Sequence, residues 1–304
     1  MSLLSMIKPN GPSGYGYGST ALEVTEGVDL SGKTYLLTGC NSGIGLETLK
    51  VLSSRGAHVI AAARTVAKAE GASVGLSEVT PVACELSEPE SVRACVKAVL
   101  ATGRSLSGII CNAGIMALPR LTLQYGYELQ FLTNHIGHFI LVTGLLDALT
   151  DDGRVVMVSS AAHKTTPRGG IGFDNLDGSG GYVSWLFYGQ SKLANVLFAR
   201  ELARRFIGTR KTANAVHPGV IQTNLGRHMG LWATAGMSVV NPLFLKSIPE
   251  GAATQCYVAT HPSLVGVSGE YFADCNIAPT SAHGRNAGLA LQLWERSEAI
   301  VAEL

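Results

Sequence analysis

Tyr188 and Lys192 stand four residues apart in the stretch YGQSKLANVLFARELARRF. Leu193, Val196, Leu197, Glu201 and Leu202 give that stretch the periodicity of one long amphipathic helix. Residues four apart on a helix share a face, so the phenol and the ammonium are expected side by side. A free tyrosine titrates near about 10, and a neighbouring positive charge favours the phenolate and lowers that value. Such a pair could give and take a proton near neutral pH. Tyrosine and lysine also meet at this spacing by chance, so the pair needs support from the rest of the chain.

A second stretch suited to chemistry is TGCNSGIGLE. Gly39, Gly43 and Gly45 fall where the apolar run TYLLT (34–38) gives way to a helical pattern starting near Gly43. Glycines there let the backbone approach a pyrophosphate, and free N–H groups at the helix start attract its charge. The alternative is a glycine-rich turn that holds nothing. Further on, the run HVIAAARTV decides the nucleotide. An acid about 20 positions past the glycines would bind the ribose 2′-hydroxyl of NAD, whereas arginine accommodates the 2′-phosphate of NADP. Ala63 holds the acid's place, Arg64 follows, and no acid comes before Glu70. NADP(H) is therefore the expected cofactor, with NAD(H) as the second choice. Arg64 as a solvated loop residue is the competing reading.

These stretches need elements to position them. Short apolar runs recur at 34–38, 58–63, 80–84, 107–111, 154–159, 212–217 and 269–273. Helix-length periodic segments lie between them, at 43–54, 88–101, 125–150, 188–207, 249–259 and 286–303. Alternation of this kind predicts an α/β fold: one domain with a doubly wound parallel sheet of about seven strands and helices on both faces. Residues 1–30 read as an arm ahead of that domain, which spans 31–304. The arm is rich in glycine and proline, and its Thr20 and Glu23 offer a capping box for a short helix.

The composition of the 304 residues, 46% hydrophobic and 15% charged, suits a packed core rather than disorder. A net charge of +1 gives no electrostatic case for a nucleic-acid partner. Cys40, Cys84, Cys95, Cys111, Cys256 and Cys275 form no CxxC pair and no metal-ligand spacing with histidine. They read as buried or free thiols in a reducing compartment, the cytoplasm, with no metal expected. The N-terminus lacks the basic segment of a secretory signal. The apolar run GLWATAGMSVVNPLFL (230–245) is too short for a membrane span and a proline interrupts it.

The G-x-x-x-G-x-G spacing, followed about 150 residues later by Tyr188-x-x-x-Lys192, resembles the short-chain dehydrogenase/reductase family. Further motifs match in order: CNAGIM with Asn112, Ala113 and Gly114; LQFLTNHIGHF with Asn134; VVMVSSAAH with Ser160; and HPGVIQT with Pro218, Gly219, Val220 and Thr223. The details NHIGHF, SSAAH and GVSGEYF resemble the branch of retinol dehydrogenases, their plant relatives and the WW-domain oxidoreductases. Glu85-Leu86 departs from the family's usual Asp-Leu beside the adenine.

The resemblance implies a Rossmann fold and hydride transfer between a nicotinamide and a carbinol or carbonyl carbon. It assigns proton exchange to Tyr188, pKa control and ribose contacts to Lys192, substrate-oxygen binding to Ser160, and a bound water to Asn134. It implies cofactor contacts from Gly39, Asn41, Ser42, Gly43, Ile44, Gly45, Arg64, Glu85, Leu86, Asn112, Ala113, Gly114, Tyr188, Lys192, Pro218, Gly219, Val220 and Thr223. His135, His138 and His163 are expected to fill structural or solvated positions and are assigned no role. The segment 223–250 is expected to form a substrate lid, and its Leu231, Trp232, Met237, Val239, Val240, Leu243, Phe244 and Leu245 point to a lipophilic, steroid- or retinoid-like substrate. An oligomer or membrane-surface contact is the competing reading of those residues, and a homodimer or homotetramer is the assembly to look for. A dinucleotide-binding regulatory or scaffold protein with little turnover is the alternative function.

Overall fold

The structure, a computed structural model, describes residues 7–221 and 245–304. Its centre is an eight-stranded sheet in the order β10-β9-β8-β7-β4-β1-β2-β3. The strands are β1 (Thr34–Thr38), β2 (His58–Ala63), β3 (Val79–Ala83), β4 (Leu106–Cys111), β7 (Leu149–Val158), β8 (Thr212–His217), β9 (Tyr271–Ala273) and β10 (Asn276–Ile277). Seven of these are the apolar runs of the sequence, and they pair in parallel. The eighth, β10, turns back antiparallel on β9. A separate hairpin joins β5 (Leu123–Gln124) to β6 (Tyr127–Glu128). Every residue of β1 and β2 is buried. That is why these strands read as continuous apolar runs and not as alternating ones.

Helices cover both faces. One face carries α4 (Pro89–Ala101), α6 (Gly137–Thr143), α7 (Ser184–Arg205) and α9 (Ala287–Glu303), packed in one core through Val92, Phe139, Phe198 and Trp294. The other carries α1 (Ala21–Val24), α2 (Gly43–Ser54) and α8 (Ile248–Thr260), whose core includes Val24, Leu49, Ala252 and Tyr257. The short α3 (Val66–Ser73) follows β2.

Thr20 and Glu23 form the expected capping box on α1. Residues of the N-terminal stretch lie against the fold: Asn276 bonds Ser13 and Tyr15, and the Tyr15 ring meets Tyr257 edge-on at 5.5 Å. The expected helix at 125–150 is instead the hairpin, α5 (Leu129–Phe131), a π-turn over Leu132–Ile136, and α6. Tyr125 and Gly126 both have positive φ, which makes a hairpin turn and starts no helix. No helix among the described residues is long and apolar enough to cross a membrane. The expected lid lies outside the described residues from 223 to 244, and so does Thr223.

Candidate active site

Two groups of residues converge at the carboxyl ends of β1, β4 and β7. The first surrounds the glycine loop. Gly39 and Gly43 take positive φ of 69° and 54°, which costs glycine little. A Cβ on Gly39 would lie 2.9 Å from the Ala113 Cα, and one on Gly45 would run into the Gly39 carbonyl. No side chain caps α2: Ser42 sits at the N-cap position without a cap hydrogen bond. The N–H groups of the first turn are thus left for an anion. Asn41 and Ile44 complete that turn. Asn112 fastens the loop from behind, donating to the Thr38 carbonyl at 2.8 Å and the Gly39 carbonyl at 3.3 Å. Its own oxygen accepts from Gln255 of α8 at 3.3 Å.

Arg64 is exposed just past the end of β2, and no hydrogen bond or ion pair holds its guanidinium among the described residues. Glu85 bends its carboxylate onto Ser87, accepting from that hydroxyl at 3.1 Å. Leu86 is buried against Gly137, where any Cβ would strike the Leu86 carbonyl. Gly219 has φ of 96° and backs onto the stem of Lys246. Pro218 and Val220 flank it, with Val220 exposed.

The second group is the proton-handling one. Tyr188 sits in the second turn of α7, since that helix begins at Ser184 and not at the tyrosine. The adjacent Gly189 lets the 3-10 turn Ala161–Lys164 dock: a Cβ there would enter the Thr165 carbonyl. The docking brings Ser160 beside Tyr188, close enough for its hydroxyl to act on the phenol. Lys192 lies 5.8 Å from the centre of the Tyr188 ring and donates to the Val158 carbonyl at 3.2 Å. Asn134, wholly buried in the π-turn, accepts from the Ile115 N–H at 2.8 Å and donates to the Ile115 carbonyl and the Ser191 hydroxyl, each at 2.9 Å. Gly114 leaves room between the pair: its Cβ would stand 3.0 Å from Asn134 Oδ1 and 3.3 Å from Lys192 Nζ.

The electrostatics differ from the expectation for a tyrosine beside a lysine. Burial pushes the Tyr188 phenol up to about 12, and the neighbouring Ser160 hydroxyl only partly offsets it. Burial also pulls the Lys192 ammonium down to about 8. Desolvation disfavours both charged forms and outweighs the attraction between them at this separation.

A family description, short chain dehydrogenase, matches residues 33–173. The short-chain dehydrogenase TIC 32 B, chloroplastic, of Brassica napus is 44% identical, over 97% of this chain and 96% of its own. Human retinol dehydrogenase 11 is 40% identical over 90% of this chain and 87% of its own. A crystal structure of an uncharacterised protein from Mycobacterium paratuberculosis superposes with a TM-score of 0.76 at 32% identity, covering 94% of this chain and 98% of that one. The chain belongs to the short-chain dehydrogenase/reductase family. It is a nicotinamide-dinucleotide-dependent oxidoreductase acting on CH–OH groups.

The cradle fits such a dinucleotide. Its glycines leave no space for a Cβ beside the loop, and α2 offers an uncapped N-terminus. The family motifs did not mark four supporting residues: Thr38, His138, Ser191 and Gln255. Each is packed between motifs and touches no open space. For His138 a signal was available, its position four residues after Asn134 on a helical stretch.

Proposed function

We propose that this enzyme prefers NADP(H) and moves a hydride between the nicotinamide and a lipophilic secondary alcohol, ketone or aldehyde of steroid or retinoid size. The convergence of Tyr188, Ser160 and Lys192 around one point carries the chemical part of this reading. When bound, the dinucleotide supplies or takes up the hydride. Ser160 and Tyr188 hold the substrate oxygen through their hydroxyls. In reduction Tyr188 gives its proton to that oxygen, and in oxidation it takes it back. Burial keeps the phenol protonated far above neutrality, so the donor stands ready. Lys192 remains an ammonium below about pH 8. One of its three hydrogens goes to Val158, and two are left for ribose hydroxyls. Asn134 keeps one lone pair of Oδ1 for a water beside Lys192.

The guanidinium of Arg64, unpaired among the described residues and following Ala63, supports the choice of NADP. Trp185 supports an apolar substrate: it is 47% exposed and stands edge-on to Tyr188 at 5.9 Å. The relatives named retinol dehydrogenase agree with that class. Six free, buried cysteines fit a reducing compartment, and we place the protein in the cytoplasm. An N-terminal arm left free to bind a partner would favour the scaffold alternative, but Tyr15 and Tyr17 pack against the fold.

The test is a screen of alcohols and carbonyls, following nicotinamide absorbance with each cofactor. Turnover of retinoids or steroids with NADP(H) is expected. Tighter binding of NAD, or activity confined to short polar alcohols, would overturn the corresponding half of the proposal.

A further inference from the structure

His138 is fully buried on α6 and takes no part in the chemistry above. Its ring has two partners: Nε2 lies 3.0 Å from Thr38 Oγ1, and Nδ1 lies 3.0 Å from the Asn134 carbonyl oxygen. Counting protons fixes the direction of both bonds. The Thr38 hydroxyl oxygen accepts from the main-chain N–H groups of Asn112 and Ala113, each at 3.0 Å. A hydroxyl has two lone pairs and one proton. With both pairs engaged, its proton goes to His138 Nε2. That nitrogen therefore carries no hydrogen, and the ring's single hydrogen sits on Nδ1 and is donated to Asn134. Burial keeps the ring neutral, pulling its pKa down to about 4.

The residues joined in this way come from distant parts of the chain. Thr38 ends β1, one residue before Gly39. Asn112 and Ala113 open the turn after β4. Asn134 lies in the π-turn, where the Gly137 N–H reaches back five residues to the Leu132 carbonyl. Such a widened turn has no regular α-helical register to hold it. The Asn134 side chain in turn grips Ile115 and Ser191, and its oxygen borders Lys192 Nζ across Gly114.

We infer that His138 is a positioning residue: held by Thr38 as the Nδ1–H tautomer, it clamps the Asn134 carbonyl and keeps the Asn134–Lys192 side of the site in register with the glycine loop. Misplacement of reacting groups by about 1 Å can cost 100-fold in rate, so the clamp bears on turnover more than on cofactor binding.

The inference rests on the proposed function only for its kinetic test. Two variants separate the roles of the ring. In His138→Asn the short amide can still donate to Asn134 but does not reach Thr38; in His138→Leu both bonds are gone. With NADPH and retinal as probes, His138→Leu is expected to lose about tenfold or more in kcat while KM for NADPH stays within about threefold. His138→Asn, which keeps the bond to Asn134 but not the tie to Thr38, should recover only part of that loss. Long-range proton–nitrogen correlation on the wild-type protein should show the neutral Nδ1–H tautomer, and NADPH alone should shift both ring nitrogens. Wild-type kcat in His138→Leu, full recovery in His138→Asn, an Nε2–H tautomer, or ring signals indifferent to NADPH would each overturn the inference. Absence of turnover in the wild type would overturn the proposed function instead, leaving the tautomer and the NADPH shift to decide the role of His138.

Discussion

Tyr188 and Arg64 make opposite demands on their surroundings. Tyr188 is 7% exposed, and its proposed proton exchange relies on that burial. Arg64 is exposed and unpaired among the described residues, as its proposed contact with a ligand phosphate requires. Tyr188→Phe keeps the ring and removes the proton, so kcat should fall by about 10²–10⁴. Cofactor affinity, read by titration, should stay within a few-fold. Arg64→Ala should weaken NADP binding by about 1.5–3 kcal/mol, the scale of a hydrogen bond to a charged group. NAD binding, measured in parallel, should hardly change. The residue types at these positions were legible in the sequence. The proton affinities were not, because a motif does not say how deeply a lysine is buried. Nor was the tie from His138 to Thr38, which lies 100 residues away.

At the scale of elements, the glycines separate those that admit close approach from those that do not. Gly189 lets the turn carrying Ser160 rest on α7, and any Cβ there meets the Thr165 carbonyl. Gly189→Ala should cost about 1–3 kcal/mol in denaturant unfolding, as overpacking does, and should lower kcat by displacing Ser160. Gly71 lies inside α3 with nothing within 4 Å of its would-be Cβ. Gly71→Ala should raise stability by up to about 1 kcal/mol through helix propensity. The seven parallel strands and most helices were legible as periodic apolar runs. The 125–150 region was not: its apolar residues have helical spacing, but positive φ at Tyr125 and Gly126 starts a hairpin. β10 escaped notice because two residues carry no periodicity.

Across the whole molecule, several histidines are buried in neutral form. Burial pulls His135 down to about 3 and His138 to about 4, from an ordinary 6.5. The unfolded chain takes up protons on them below 6.5 while the folded chain does not. Stability is therefore fully present above about 6.5 and is lost as pH falls toward 4. Each ring contributes a slope of about 1.4 kcal/mol per pH unit in that window. Urea midpoints measured between pH 7 and 4.5 should fall accordingly, and a flat profile would mean that these rings are open to water.

The last helix also bears on when the protein can fold. In α9, Trp294 stacks on Phe198 at 5.5 Å, meets Phe139 at 5.0 Å and lies under the Arg205 guanidinium at 3.8 Å. Ser297 of the same helix receives His135 at 2.8 Å. Helices α6 and α7 thus take their cover from a segment more than 80 residues further along the sequence than Phe198. Phe139 and Phe198 touch each other at 5.4 Å, but the outer side of that aromatic layer is closed only when α9 docks. A folding intermediate that lacks this helix presents apolar rings to its neighbours and is prone to associate. A stop codon at position 287 should shift the product to the insoluble fraction on expression, even though it leaves every proposed catalytic residue in place.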